Sequence, residues 1–116
     1  MRHEESKIQI QCKRWFDIQH KKNRKLLFAV PNGGHRGIVE AKIMKGEGVE
    51  AGVADMILLL PSPLGYHALC IEFKTAKGRQ SENQKIFQEV AEANGYRYVI
   101  VRSIEDFIQE IKNYLG

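Results

Sequence analysis

The amino-acid sequence predicts a single α/β domain with a mixed central β-sheet flanked by helices. Three observations carry that expectation. Segments with helical apolar spacing alternate with short apolar runs of strand length. Clusters rich in proline and glycine separate them. The chain has 116 residues, 43% of them hydrophobic, which suits one core over residues 1–116 with no repeat or linker. The expected order of elements is α-β-α-β-β-α-β-α.

The first helix is expected over about Glu4 to His20, because Ile8, Cys12, Trp15 and Phe16 recur at helical spacing on one face. Leu26 to Val30 reads as a short strand, stopped by the turn signal Pro31-Asn32-Gly33-Gly34. Residues 36–45 read as a short helix ended by Gly46 and Gly48. Two central strands follow, Ala54 to Leu60 and Tyr66 to Thr75, joined at Pro61-Ser62-Pro63-Leu64-Gly65. Ser81 to Asn94 is the next helix, with Gly95 as its stop. Tyr96 to Arg102 is the last strand. Ser103 caps a final helix with Ile104, Phe107, Ile108, Ile111 and Leu115 on one face.

Composition narrows the function classes. The longest apolar run, Met56 to Leu60, is far too short for the ~20 residues of a membrane helix. The N-terminus lacks a signal-peptide apolar stretch, so a cytoplasmic setting is expected. Cys12 and Cys70 stand alone inside apolar patterns and read as buried free thiols, not zinc ligands. The net charge is +4, and its placement says more than its size. Residues 1–25 hold eight basic and three acidic side chains, with the excess in Lys13-Arg14 and Lys21-Lys22-Asn23-Arg24-Lys25. The plain reading is a solvated helix end and loop. The other is a nucleic-acid contact.

The chemistry is expected between the two central strands. Pairing symmetric about Pro63-Leu64 places Asp55 opposite Glu72. Two facing carboxylates repel unless a cation sits between them. Glu72 and Lys74 are two apart on a strand and share a face, while Ile71 and Phe73 point the other way. Hard cations such as Mg²⁺ take oxygen ligands of this kind, and a neighbouring lysine can position a water or stabilise developing charge. The competing reading is an ordinary cross-strand Glu–Lys pair. Glu5 lies on the buried stripe of the first helix, an unusual place for a carboxylate, with Glu4 beside it as a rival. Gln84 fits a capping box Ser81-Glu82-Asn83-Gln84, yet also leads an inward stripe with Phe87 and Ala91.

Gly52-Val53-Ala54-Asp55 followed by Ile71-Glu72-Phe73-Lys74 resembles the PD-(D/E)xK nuclease superfamily, with Ala54 where the superfamily's name has proline. More narrowly, the order of Glu5-Ser6-Lys7-Ile8-Gln9, Pro31-Asn32-Gly33-Gly34 with Arg36, Gly48 to Asp55, Ile71 to Lys74, and Gln84 resembles a stand-alone VRR-NUC (virus-type replication-repair nuclease) domain over about Glu5 to Leu115. The resemblance implies a restriction-endonuclease-like core. It implies Asp55 and Glu72 as ligands of Mg²⁺ or Mn²⁺, with the Phe73 carbonyl as a backbone ligand and Glu5 completing the site. It implies Lys74 as the catalytic lysine and Gln84 near the attacking water or the phosphate. Asn32 and Arg36 are expected at the DNA, the latter because guanidinium matches phosphate. Lys77 and Arg79 are expected backbone contacts on the loop after the E-x-K strand. The implied activity is metal-dependent cleavage of branched DNA such as Holliday junctions, by a homodimer whose surface comes from the first or last helix. A non-catalytic nucleic-acid-binding module, a nuclease for flaps or duplex ends, and a structural subunit remain the rival readings.

Overall fold

The computed structural model describes residues 2–31 and 37–116. The elements are α1 (Arg2–Gln19), a 3₁₀ turn (Lys21–Leu26), β1 (Leu27–Ala29), α2 (Ile38–Gly46), β2 (Met56–Leu58), β3 (Leu69–Phe73), α3 (Glu82–Ala93), β4 (Arg97–Val101) and α4 (Ile104–Leu115). The order matches the sequence expectation, with one addition. The basic stretch after α1 is a 3₁₀ turn where the sequence suggested loop.

The four strands form one mixed sheet in the order β1-β2-β3-β4. β1 and β3 both run antiparallel to β2, and β4 runs parallel to β3. A parallel neighbour requires a crossover, and α3 supplies it. One sheet face carries Leu27, Met56, Leu58, Leu69, Ile71, Phe73, Val99 and Val101. They pack on Cys12 and Phe16 of α1 and on Phe107, Ile111 and Tyr114 of α4. The other face packs Cys70 and Tyr98 against Phe87 and Ala91 of α3. β3 is therefore buried along its whole length. Such a strand is normally an unbroken apolar run, and Glu72 is the exception.

The two central strands are shorter than their apolar patterns suggest. The connection from Leu59 to Ala68 leaves the ladder because Pro61 and Pro63 have no N–H to contribute. It is tied down instead by α4, where the Ser62 hydroxyl donates to the Tyr114 carbonyl and the Tyr114 hydroxyl donates to the Leu60 carbonyl. Both cysteines are free and buried as expected. Burial pushes the Cys12 thiol up to about 12 and the Cys70 thiol to about 11, so neither is a nucleophile at neutral pH.

Gly52 sets the approach to the site. Its φ of +81° suits glycine, and a Cβ there would stand 2.6 Å from the Asn83 carbonyl carbon. Glycine thus lets the segment leading into Asp55 press against the first turn of α3.

Candidate active site

The ladder between β2 and β3 pairs Met56 with Ile71, Ile57 with Cys70 and Leu58 with Leu69. One step beyond its end, the same register sets Asp55 opposite Glu72. Asp55 Oδ2 accepts a hydrogen bond of 2.7 Å from the Phe73 backbone N–H, which fixes the carboxylate across the strand gap.

Glu72 is only 2% exposed. Its Oε2 accepts from Gln84 Nε2 at 2.6 Å and stands 3.8 Å from Lys74 Nζ. Its Oε1 accepts from the Tyr98 hydroxyl at 3.5 Å. Burial, and next the negative charge of Asp55, push the Glu72 carboxyl up to about 8. Lys74 opposes the shift, while hydrogen bonding to Asp55 and the charge of Glu5 add to it. Below about 8 Glu72 therefore keeps its proton, and above it two carboxylates face a single lysine.

Gln84 answers both sequence readings at once. Ser81 caps α3 and accepts from the Gln84 backbone N–H at 3.2 Å, while Gln84 Oε1 accepts from the Ser81 N–H at 2.8 Å. That is a complete capping box. The amide's other end, Nε2, reaches Glu72. A primary amide has both a donor and an acceptor, so one side chain serves both ends.

Two features escaped the sequence reading. Tyr98 on β4 links Glu72 to α3, since its hydroxyl accepts from Gln80 Nε2 at 3.3 Å and Gln80 also donates to Gln88 Oε1 at 2.8 Å. Burial pushes the Tyr98 hydroxyl above its ordinary range, so it stays a donor. Only the parallel pairing of Cys70 with Tyr98 brings it beside Glu72, and no local motif signals that pairing. The second feature is Arg102, whose guanidinium donates to the carbonyls of Thr75 at 2.6 Å, Ala76 at 3.4 Å and Gly78 at 2.8 Å. It braces the loop on which Lys77 and Arg79 stand exposed.

The remaining expected residues divide. Glu5 is half-buried in the first turn of α1 while Glu4 is exposed, and of the two only the Glu5 charge registers at Glu72. Among the described residues, no group of three or more His, Cys, Asp or Glu side chains gathers as a metal cluster. The charge of Glu5 reaches Glu72, while Asp55, Lys74 and Gln84 make the closer contacts there. Asn32 and Arg36 lie outside the described residues.

The donor set suits a hard cation. Two carboxylates and a backbone carbonyl are oxygen donors, and Mg²⁺ commonly uses one or two carboxylates with waters and phosphate filling the rest.

A strand-borne acid pair, an adjacent lysine and a helix-start glutamine thus meet at one end of the mixed sheet. The family comparison agrees: the VRR-NUC domain model matches residues 1–105. The chain belongs to the VRR-NUC domain family. It is similar in structure to a solved VRR_NUC domain protein, with 28% sequence identity and a TM-score of 0.82, over 97% of this chain and 89% of that one. No curated protein matches the chain significantly.

Proposed function

We propose that this protein is an Mg²⁺- or Mn²⁺-dependent endodeoxyribonuclease that hydrolyses phosphodiester bonds in branched DNA, including four-way junctions, and acts as a homodimer. The observation that carries the reading is the convergence of Asp55, Glu72 and Lys74 on one buried strand end, with Gln84 held to Glu72. A fold has no structural use for two facing acids at a place where burial already disfavours charge.

Asp55 and Glu72 would hold the cation, with the Phe73 carbonyl and the Glu5 carboxylate completing its surroundings. When bound, the ion neutralises charge on the phosphate and makes water a better nucleophile. Gln84 and Tyr98 fix the orientation of the Glu72 carboxylate. Lys74 Nζ offers a hydrogen-bond donor to the attacking water or to a phosphate oxygen. Lys77 and Arg79, on the loop braced by Arg102, take the DNA backbone, and Asn32 and Arg36 are assigned to phosphate by the family resemblance alone.

The homodimer reading rests on small size and on α2. None of its residues is buried, and Ile38, Val39 and Ile43 are 76%, 71% and 56% exposed. An isolated helix this short is marginal in water, so a covering surface from a second copy on α2 is favoured over the face of α4, whose apolar stripe is already used. A non-catalytic DNA-binding module is the weaker reading, because paired acids repel phosphate.

The test is cleavage of labelled four-way junction, flap and linear duplex DNA in Mg²⁺, Mn²⁺ or EDTA, by wild type and by Lys74→Ala. Metal-dependent junction cleavage that Lys74→Ala removes is the expected result. Tight binding with no cleavage of any substrate would favour the binding module. Preferential cutting of flaps or ends would replace the junction as substrate.

A further inference from the structure

The functional reading leaves the basic end of α1 unused. We infer that the solvent face of α1 and the 3₁₀ turn after it form a second phosphate-backbone docking surface, which holds duplex DNA at a distance from the cut. The inference rests on a DNA substrate, as proposed above, but not on catalysis.

Lys7 and Arg14 are exposed and seven residues apart, two helical turns, so they share one side of α1. That side lies across the helix from Cys12 and Phe16, which are fully buried. Lys21, Lys22, Arg24 and Lys25 follow in the turn, all exposed. Among the described residues, Lys7, Arg14, Lys21, Lys22 and Lys25 make no ion pair with an acid. Their charge is therefore available to a partner.

The turn is also held in shape. Lys13 Nζ donates to the Arg24 carbonyl at 2.7 Å and pairs with Asp17 at 2.7 Å, while Arg24 Nε stands 3.6 Å from the same carboxylate. His20 stacks on Phe16, with ring centroids 4.7 Å apart, and meets Trp15 edge-on. Asp17 thus serves as the internal brace of the segment. A braced array of cations loses less entropy on binding than a loose tail. Repeated cations whose one intervening acid, Asp17, is already paired suit a polyanion whose charges are regularly spaced.

Distance separates the basic turn, though not Lys7, from the end of α1 that carries Glu5. From Glu5 to the end of α1 at Gln19 the helix rises about 21 Å. At 3.4 Å per base pair that is about six base pairs of duplex. The basic turn therefore cannot grip the scissile phosphate. It holds backbone about half a helical turn of DNA away, along the same arm or on a neighbouring one.

The experiment compares two variants of equal charge. One carries Arg14→Gln, Lys21→Gln and Lys22→Gln. The control carries Lys42→Gln, Lys45→Gln and Lys112→Gln, also exposed. Binding to a 40-base-pair duplex and to a four-way junction is measured in EDTA across a salt series, and junction cleavage in Mg²⁺. For the α1 variant the expected result is at least tenfold weaker binding. Its log affinity against log salt should be less steep by up to about 3, near 0.9 per lost phosphate contact. Its KM should rise with kcat unchanged. Equal losses in the two variants, or an unchanged salt slope, would overturn the inference. So would tighter wild-type binding to phosphatidylserine vesicles than to duplex at the same salt. If wild type cleaves nothing but the salt slope still falls, the catalytic reading fails and the docking surface stands. If wild type cleaves and the slope does not change, the reverse holds.

Discussion

Gln84 Nε2 lies 2.6 Å from Glu72 Oε2 while its carbonyl oxygen closes the capping box with Ser81. One side chain thus couples the start of α3 to the buried acid on β3. Two substitutions separate these duties. Ser81→Ala removes the cap alone and should cost about 1 kcal/mol. Gln84→Ala removes cap and donor, so it should show a similar loss of stability together with roughly 10–100-fold weaker Mg²⁺ binding. Thermal unfolding and calorimetric Mg²⁺ titration check the pair. Equal metal affinity in both variants would confine Gln84 to capping.

Glu72 gives the metal-free protein a pH signature. Its carboxyl is raised to about 8, mainly by burial and next by Asp55. The folded state therefore binds a proton more tightly than the unfolded chain does. The stability this contributes is fully present below the unfolded carboxyl range near 4.5 and is lost as pH rises through about 8. In EDTA, Tm is expected to fall between pH 5 and 9 and to fall less in Glu72→Gln. Added Mg²⁺ should stabilise wild type more at pH 9 than at pH 6. Parallel Tm curves for wild type and Glu72→Gln would contradict the assignment.

Asp55 bears two loads that different substitutions tell apart. Asp55→Asn keeps an acceptor for the Phe73 N–H while removing the charge that faces Glu72. Above about pH 8, where Glu72 is charged, its metal-free Tm should equal or exceed that of wild type, because like charges across a strand pair destabilise. Asp55→Ala relieves the same repulsion but strips a part-buried N–H of its acceptor, at a cost of about 1–3 kcal/mol. Its Tm should be the lower of the two. A lower Tm for Asp55→Asn than for Asp55→Ala would argue against facing carboxylates.

Arg102 predicts an effect on DNA binding from a residue outside the acid group. Its Nη1 alone donates to the carbonyls of Thr75 and Gly78. Arg102→Ala removes both bonds and should loosen the loop bearing Lys77 and Arg79, raising KM for DNA severalfold with kcat little changed. Proteolysis within residues 75–79 should quicken in step.

Much of this was legible in the sequence because it depends on local rules. Strand periodicity alone put Glu72 and Lys74 on one face. Symmetric pairing about the Pro63-Leu64 turn gave the register that the ladder keeps, even though the prolines shorten both strands. The helix caps at Ser81 and Ser103 are found where short-range chemistry places them. What the sequence could not give depends on long-range pairing. Tyr98 reaches Glu72 only through the parallel β3–β4 register, and Arg102 meets its loop 24 to 27 residues back in the chain. The 3₁₀ turn was hidden because a run of lysines looks like solvated loop until Asp17 and His20 are seen to brace it.

The most direct test of the central claim is the single-turnover cleavage rate of a labelled four-way junction as Mg²⁺ is titrated, for wild type and Asp55→Asn side by side. Wild type should show no cleavage without metal and a saturable rise with Mg²⁺. Asp55→Asn should cleave more slowly by about 10²–10³-fold or more with the fold intact. Cleavage by Asp55→Asn at the wild-type rate, or wild-type cleavage that persists in EDTA, would contradict the claim.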